Sequence, residues 1–361
     1  MKVLFVGNPS DRPTDGGGAT FQRALLGGLK RMRSSHECSY IQPAPNQGMV
    51  QPVVAEKSID FVWFMSPYHE PVEVPFGTTV WDLGHRQLPW FPELSLSGWT
   101  FGLRENYYRE VLPRASIVAI GNGTGARSIS DFYRIPPENI CEIPLPVDLD
   151  VLQAAAADSS VIESTGLKSG EYLFYPAQFW PHKNHITLVD ALAILRADGS
   201  SLKLVFSGSD KGNRAYVESY VNQLGLQEHV GFAGFVDTNI LHQLYLNAHA
   251  LVYASLLGPD NLPPLEAMAL GCPVVSAAFA GAREQMGDAA LYFDGLDAQD
   301  LVSQVRKLDD AALKQRLIAN GRTLVQSRTP DEYVKKIIEA LDRFAIKRKL
   351  WGPSNSYRHP P

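Results

Sequence analysis

The sequence predicts an α/β protein built from two doubly wound parallel sheets facing a cleft. Three observations carry this. The chain has 361 residues, more than a single core wants, which favours two domains. Two separate stretches alternate short apolar runs with helical periodicity, the pattern of repeated strand–helix units. Between them, Ile143-Pro144-Leu145-Pro146-Val147-Asp148-Leu149-Asp150 is Pro-rich and extended. The first domain is placed at 1–148 and the second at 149–330.

Composition narrows the function. Hydrophobic residues make up 45%, ordinary for a soluble globular protein, and the net charge is −5, which disfavours nucleic-acid partners. Cys38, Cys141 and Cys272 have neither disulfide nor metal spacing, which fits a reducing cytoplasm. The apolar run in MKVLFVGNPSDRP is too short for a signal peptide and reads as a first strand. No run has the length of a membrane-spanning helix. The expected location is the cytoplasm, with weak peripheral contact at the inner face of the plasma membrane as the lesser alternative.

In chain order, Lys2-Val3-Leu4-Phe5-Val6 is a buried-strand pattern. After a polar loop, Gly16-Gly17-Gly18 opens a helix with Phe21, Leu25, Leu26 and Leu29 at helical spacing, a turn where backbone approaches a ligand closely. Its end, Lys30-Arg31-Met32-Arg33, is either a solvated basic terminus or a weak contact for anionic headgroups. Ile59-Asp60-Phe61-Val62-Trp63-Phe64 and Thr78-Thr79-Val80-Trp81 are the next strands. The second runs into Asp82-Leu83-Gly84-His85-Arg86, polar residues at a strand end where parallel sheets bind ligands. Trp90, Phe91, Trp99 and Phe101 read as packing, with an acceptor platform or bilayer wedge as the lesser reading. Ser116-Ile117-Val118-Ala119-Ile120 is a strand; the glycines after it, Gly121, Gly123 and Gly125, lack the spacing and acidic partner of a dinucleotide fingerprint. Asp148-Leu149-Asp150 has a spacing some metal sites use, but here it ends the Pro-rich extended run, and no metal ligand set is expected.

Residues 151–169 are small and polar. Tyr172-Leu173-Phe174-Tyr175 then starts the second alternation, followed by PAQFWPHKNH and a helix through Ile186, Val189, Leu192 and Leu195. Asn184 is a candidate N-cap, and Lys183 before it sets a cation beside a helix start, a good diphosphate position. Leu202-Lys203-Leu204-Val205-Phe206 leads to the turn Ser207-Gly208-Ser209-Asp210-Lys211. Val230 to Val236 is a further strand and loop, and Leu241, Leu244 and Tyr245 lie on a helix. Near the end, Tyr333, Ile337, Ile338, Leu341 and Phe344 form an amphipathic stripe, and the tail from Gly352 is polar.

The most informative stretch is Leu251 to Ala277, LVYASLLGPDNLPPLEAMALGCPVVSA. It reads as strand, turn-rich loop, helix, strand. Pro263 and Pro264 suit a first helical turn, and Gly271 ends the helix. Free N–H groups at such a start bind anions, and Glu266 in the first turn can reach a ligand lying over it. A phosphate together with a pair of sugar hydroxyls would satisfy this end.

NLPPLEAMALGCPVV resembles the donor-site signature of retaining glycosyltransferases of family four, which have the two-domain GT-B fold. The resemblance is strong in the second half of the chain and loose in the first; the GPDNLPPLE form is similar to a subgroup of polysaccharide mannosyl- and rhamnosyltransferases. It implies that Glu266, the second glutamate of the family pair, holds the donor ribose, with Asn261, Leu262 and Pro263 beside it. The first glutamate falls on Gly258 and is absent, which leaves the transferred sugar open. Lys183 matches the family's diphosphate lysine, while Gln178 stands where an arginine is usual. Gly17 and Gly18 match the glycine loop near the donor phosphates. Gly208 and Ser209 match the turn facing the nucleotide, and Phe235 lies in the loop that holds the base. Asp82 matches the Asp of a His-Asp pair, Trp81 replaces the His, and His85 is the candidate for its sugar contact. The family's closing helix, here within 331–361, crosses back onto the first domain.

These matches imply a retaining, metal-independent hexosyltransferase using a nucleotide-sugar, GDP-mannose favoured, on a glycan or lipid-linked acceptor in surface polysaccharide biosynthesis. No cofactor is expected. Lys183, Glu266, His85 and Asp82 are the expected catalytic set. Two readings stay open beside it: a nucleotide-sugar epimerase of the same fold, and a catalytically silent nucleotide-sugar-binding protein, which Gly258 and Gln178 suggest. A two-domain solute-binding protein is disfavoured by the lack of an export signal.

Overall fold

A computed structural model describes residues 1–8, 17–44, 48–94, 101–149, 162–163 and 166–352. Gly16, Trp99, Asp150 and most of 151–169 and of the polar tail lie outside these. The chain forms two compact units. One comprises Met1–Arg86, Gly102–Pro146 and the chain from Arg328 onward; the other comprises Gln87–Phe101 and Val147–Ser327. Gln87–Phe101, expected in the first domain, is therefore part of the second unit.

The first unit holds six parallel strands in the order β2-β1-β3-β4-β5-β6: β1 Lys2–Val6, β2 Glu37–Ile41, β3 Phe61–Phe64, β4 Phe76–Thr79, β5 Ile117–Ile120 and β6 Ile140–Glu142. A parallel sheet is covered on both faces, and side chains alternate between them. Along β1, Leu4 and Val6 point into one cluster with Val62, Phe64, Val118 and Ile120. Val3 and Phe5 point into the other, with Phe61, Trp63, Ile117 and Ala119. The helices are α1 Gly17–Arg31, α2 Val50–Lys57, α3 Gly84–Gln87, α4 Phe101–Val111 and α5 Gly123–Tyr133. The Gly121–Gly125 run is a capped helix start, Asn122 Oδ1 accepting from Gly125 N at 3.0 Å, in line with its rejection as a dinucleotide loop. Strand β4 starts and stops earlier than the sequence suggested, so Val80 and Trp81 follow it.

Far along the chain, a helix over Pro330–Arg348 returns to this unit. Tyr333, Val334, Ile337 and Leu341 enter the second cluster, and the Tyr333 ring meets Phe21 edge-on at 5.3 Å. The approach of this helix to α1 is close enough to need a glycine. A Cβ on Gly28 would lie 2.7 Å from the carbonyl oxygen of Pro330. Leu25 has no exposed surface, and Leu26 and Leu29 pack on the same cluster. Arg31 is bound to Asp331 through Nε at 3.0 Å and Nη2 at 2.7 Å, which corrects its reading as a free cation of the basic patch. Lys30 and Arg33 remain as that patch's exposed cations.

The second unit has β7 Tyr172–Pro176, β8 Lys203–Ser207, β9 Val230–Phe232, β10 Ala250–Tyr253, β11 Val274–Ala277 and β12 Ala290–Phe293, all parallel, in the order β12-β11-β10-β7-β8-β9. Its helices are α6 His185–Ala197, α7 Arg214–Gln223, α8 Thr238–Leu246, α9 Leu262–Ala269, α10 Ala282–Met286, α11 Ala298–Arg306 and α12 Ala311–Gln326, and the helix over Pro330–Arg348 is α13. Strands β8 and β9 lie to one side of β7, and β10 to β12 to the other. The order therefore switches between β7 and β10, where open α/β sheets leave room for a ligand outside the carboxyl ends of the strands. No described helix is long and apolar enough to cross a membrane.

Ile337 tests the role of α13. It is fully buried, so Ile337→Ala removes packing and leaves a cavity at an expected cost of about 2–5 kcal/mol. Denaturant unfolding with a probe in the first unit measures this; an unchanged midpoint would show that α13 does not close that core.

Candidate functional site

Two loops flank the switch point. The loop after β7 contains a single 3-10 turn, Pro181–Lys183, before α6. The loop after β10 runs from Ala254 to Asn261, before α9. Lys183 Nζ donates to Ser255 Oγ at 3.2 Å and lies 5.8 Å from the centre of the Tyr253 ring. One hydrogen bond thus joins the carboxyl ends of both central strands. The Lys183 carbonyl accepts from Tyr175 Oη at 2.8 Å, so the strand below fixes the turn that carries the ammonium. Asn184 occupies the N-cap position of α6, but in the left-handed conformation at φ 55° and without a side-chain capping bond. Its Nδ2 instead donates to the Gly295 carbonyl at 2.6 Å, and its Oδ1 accepts from Thr187 Oγ1.

Helix α9 starts at Leu262, which places Glu266 in the second turn and not the first. Its donor end is sparse. Pro263 and Pro264 have no N–H, and Asn261 N donates to Gln285 Oε1 at 3.2 Å, so among the described residues the Leu262 amide is the remaining donor of this turn. Glu266 is half-buried. Burial pushes its carboxyl above the usual range, and the hydrogen bond from Tyr245 Oη at 2.9 Å pulls it back only in part. A carboxylate in this state gains by receiving donors, which ribose hydroxyls supply.

Gly258 has a physical reason to be glycine. Its φ is 109°, and a Cβ there would lie 2.8 Å from Asn261 Oδ1. Asn261 is committed inside the loop: Nδ2 donates to the Gly258 carbonyl at 3.1 Å and Oδ1 accepts from Tyr253 Oη at 2.7 Å. The loop therefore replaces a glutamate with a self-contained amide–phenol network. The side chain of Asn261, expected beside the donor, is thus spent on shaping the loop, while Leu262 and Pro263 stay half-buried at the helix start.

On the other side of β7, Gly208 N donates to the Gly234 carbonyl at 2.7 Å, and a Cβ on Gly208 would sit 2.2 Å from the Ala177 carbonyl oxygen. The Ser209 carbonyl accepts from Phe179 N at 3.1 Å. This clasp seats the β8 turn on the β7 loop. Gln178 Oε1 accepts from Trp180 Nε1 at 3.0 Å, and Lys211 Nζ lies 5.8 Å from the Trp180 ring. Phe235 is 62% exposed, available for stacking.

The first unit holds the other expected residues, and there the structure revises one. His85 has no exposed surface. Its Nε2 lies 3.3 Å from Glu105 Oε2 and 3.1 Å from Tyr133 Oη, and its ring stacks on Tyr108. Burial holds it neutral, lowered to about 4. Glu105, which also binds Arg86 and Arg109, is held down to about 2; burial alone would raise it, but these donors outweigh burial. His85 is therefore an internal strut, not a side chain in reach of a sugar. Asp82 is partly exposed but engaged, its Oδ1 accepting from Arg104 Nη2 at 2.6 Å and Gly84 N at 2.8 Å. Gly17 is the first residue of α1, and Gly18 beside it is half-buried.

Sequence reasoning missed Ser255, Tyr253 and the pair Glu93–His182. Glu93 Oε1 accepts from His182 N at 2.9 Å and lies 2.6 Å from Nδ1. The signal for Ser255 was its place at the end of a buried strand; Glu93 had none. Among the described residues, no group of three or more His, Cys, Asp or Glu has the arrangement of a metal site.

Residues 161–324 match the family described as glycosyl transferases group 1. O-antigen chain mannosyltransferase B of Escherichia coli is 25% identical over 227 residues, 62% of this chain and 59% of that protein. O-antigen chain mannosyltransferase RfbU of Salmonella typhimurium is 31% identical over 135 residues, 37% of each. The chain thus spans between about a third and three fifths of the length of these relatives. Among solved structures, Anabaena HepE in complex with UDP superposes with a TM-score of 0.71 at 17% identity, covering 96% of this chain and all of that one. WaaG, a glycosyltransferase involved in lipopolysaccharide biosynthesis, gives 0.70 at 18%, covering 94% and 98%. These likenesses carry the GT-B fold.

Glu266 gives a prediction with a defined sign. Its folded carboxyl titrates above its unfolded value near 4.5. The stability tied to its protonated form is therefore present below that value and lost as pH rises through the folded one. Glu266→Gln removes a desolvated charge, so at about pH 8 its melting temperature is expected to equal or exceed wild type. The difference should shrink on acidification towards the carboxyl's ordinary range. A variant that melts lower at every pH would contradict this.

Proposed function

We propose, for a chain that resembles family-four glycosyltransferases and carries their group 1 domain at residues 161–324, retaining transfer of a hexose from a nucleotide-sugar to a glycan or lipid-linked acceptor. GDP-mannose is the favoured donor, because the relatives above are mannosyltransferases. The observation that carries the reading is the Lys183–Ser255 hydrogen bond at the switch point, with Glu266 on the helix that leaves it.

In this reading Lys183 faces the donor diphosphate and takes up negative charge as the sugar leaves. Its Tyr253 and Ser255 neighbours hold the ammonium in place before the reaction, which lowers the reorganisation needed at the transition state. Glu266 receives the ribose hydroxyls, the Leu262 amide and the Gly208–Ser209 turn approach the phosphates, and Phe235 offers a ring to the base. Retention follows from front-face transfer, in which the leaving diphosphate accepts the acceptor's proton. The chain's contribution is orientation and charge. Gly17 and Gly18, which open α1, keep the place near the donor phosphates that the resemblance gives them, and Asp82 belongs to the acceptor side, with His85 supporting its loop from within. Lys183 supplies the charge a metal would bring, so transfer proceeds without one. Weak contact with anionic membrane through Lys30 and Arg33 is a lesser proposal; about 1 kcal/mol per cation is too little for stable anchoring.

Gly258 and Gln178 favour a second reading, nucleotide-sugar binding without turnover. One experiment separates the two. Wild type is assayed with GDP-mannose and with UDP- and dTDP-sugars, with lipid-linked and free glycan acceptors. Lys183→Ala is expected to lower kcat about 10²-fold, as loss of one transition-state donor does. Binding of donor with no turnover of any would support the silent protein. Loss of activity in EDTA, restored by Mg²⁺ or Mn²⁺, would overturn metal independence. Glu266→Gln should weaken nucleotide binding by roughly 1.5–3 kcal/mol in calorimetry, and unchanged affinity would remove it from the ribose.

A further inference from the structure

We infer that Glu93 is a positioning residue for Lys183, acting through His182; this rests on the donor-site reading of Lys183. Glu93 comes from the Gln87–Phe101 segment, which belongs to the second unit although the chain on either side of it belongs to the first. Its side chain is 6% exposed and that of His182 11%. One carboxylate oxygen, Oε1, takes both the backbone N–H and the Nδ1 of His182, at 2.9 and 2.6 Å. That pairing fixes the residue next to Lys183 in backbone and ring together.

The turn needs such fixing. Pro181–Lys183 is a single 3-10 turn that runs straight into Asn184 in the left-handed region at φ 55°, a conformation unfavourable for a residue with a side chain. Neutral bonds also hold it: Leu256 N to the His182 carbonyl at 3.1 Å, Tyr175 Oη to the Lys183 carbonyl, and Asn184 Nδ2 to the Gly295 carbonyl. Glu93 adds a charged partner, and charge-assisted bonds are the shorter and stronger ones. Burial alone would raise its carboxyl, but the His182 donors outweigh burial and hold it below the ordinary range, so it is ionised at neutral pH. Its second oxygen, Oε2, is buried without a hydrogen-bond partner among the described residues. A buried carboxylate with half its capacity unused is a poor stabiliser compared with an apolar side chain of similar size. Its use lies in geometry. It holds the PHK turn so that the Lys183 ammonium meets Ser255 and the Tyr253 ring.

The test is a double-mutant cycle with two readouts. GDP and UDP affinities are measured by calorimetry in wild type, Glu93→Ala, Lys183→Ala and the double variant. Separately, acylation of Lys183 by an amine-reactive acetyl ester is timed by mass spectrometry in wild type, Glu93→Ala and Glu93→Gln. Each single alanine is expected to weaken diphosphate binding tenfold or more, with Glu93→Ala adding less than twofold in the Lys183→Ala background. Lys183 should acylate several-fold faster in Glu93→Ala. Glu93→Gln keeps an acceptor for the His182 donors and should restore most of both. A full Glu93→Ala effect in the Lys183→Ala background, or an acylation rate that does not move, would overturn the proposal. If Glu93→Ala does not fold, as judged by its melting curve, the cycle is run with Glu93→Asp, whose shorter side chain draws the carboxylate away from His182 N and Nδ1, and a full Glu93→Asp effect in the Lys183→Ala background overturns it equally. If wild type binds neither GDP nor UDP, the donor-site reading falls while the acylation rates still decide whether Glu93 holds Lys183.

Discussion

An all-parallel sheet must be covered on both faces, and this constraint shapes both units. It requires strands that are apolar throughout, such as Phe61–Phe64 and Val274–Val275, none of which has appreciable exposure. The charged groups of the candidate site then gather where such strands end. In the second unit the order reverses between β7 and β10, so the two loops there leave the sheet with a gap between them. Lys183 and Ser255 meet across it, and α9 brings Glu266 to the same end of the sheet.

Three buried or half-buried carboxylates illustrate how surroundings divide one functional group into different tasks. Glu105 is saturated by Arg86, Arg109, Tyr133 and His85, and is thereby a structural knot. Glu93 is half-satisfied and ties one turn. Glu266 has a phenolic donor alone among the described residues and is pushed up by burial, the state of a group awaiting partners. The fewer the donors supplied by the fold, the more a ligand gains by supplying them.

The same constraint decides what the sequence made legible. Strands buried on both faces announce themselves as apolar runs, which is why β1, β3, β5, β7, β8, β10 and β11 were readable. The edge strand β2, ECSYI, carries exposed Glu37 and Cys38 and was not recognised; β6 at the other edge spans Ile140–Glu142 and is too short to show a pattern. Lys183 and Glu266 were singled out because one lies just before a helix start and the other on the helix that follows the β10 loop. Glu93 was not, since its partner His182 lies 89 residues away and no periodicity links them. His85 was misread for a related reason. Its place after a strand suggested an open mouth, whereas Glu105 and Tyr133, brought from α4 and α5, close over it.

The return of α13 to the first unit has a consequence for synthesis. Tyr333, Val334, Ile337, Ala340 and Leu341 complete the core face that Val3, Phe5, Phe21 and Leu25 begin. On the ribosome those residues emerge only after all of Val147–Ser327 has been made. At typical elongation rates that stretch takes roughly ten to forty seconds. One face of the earliest-made sheet stays only partly covered, by α1, for that time, while the later unit already has its own strands and helices in hand. The order of birth and the order of closure are thus inverted, and the period in which a nascent chain is open to misassembly is set by the length of the second unit.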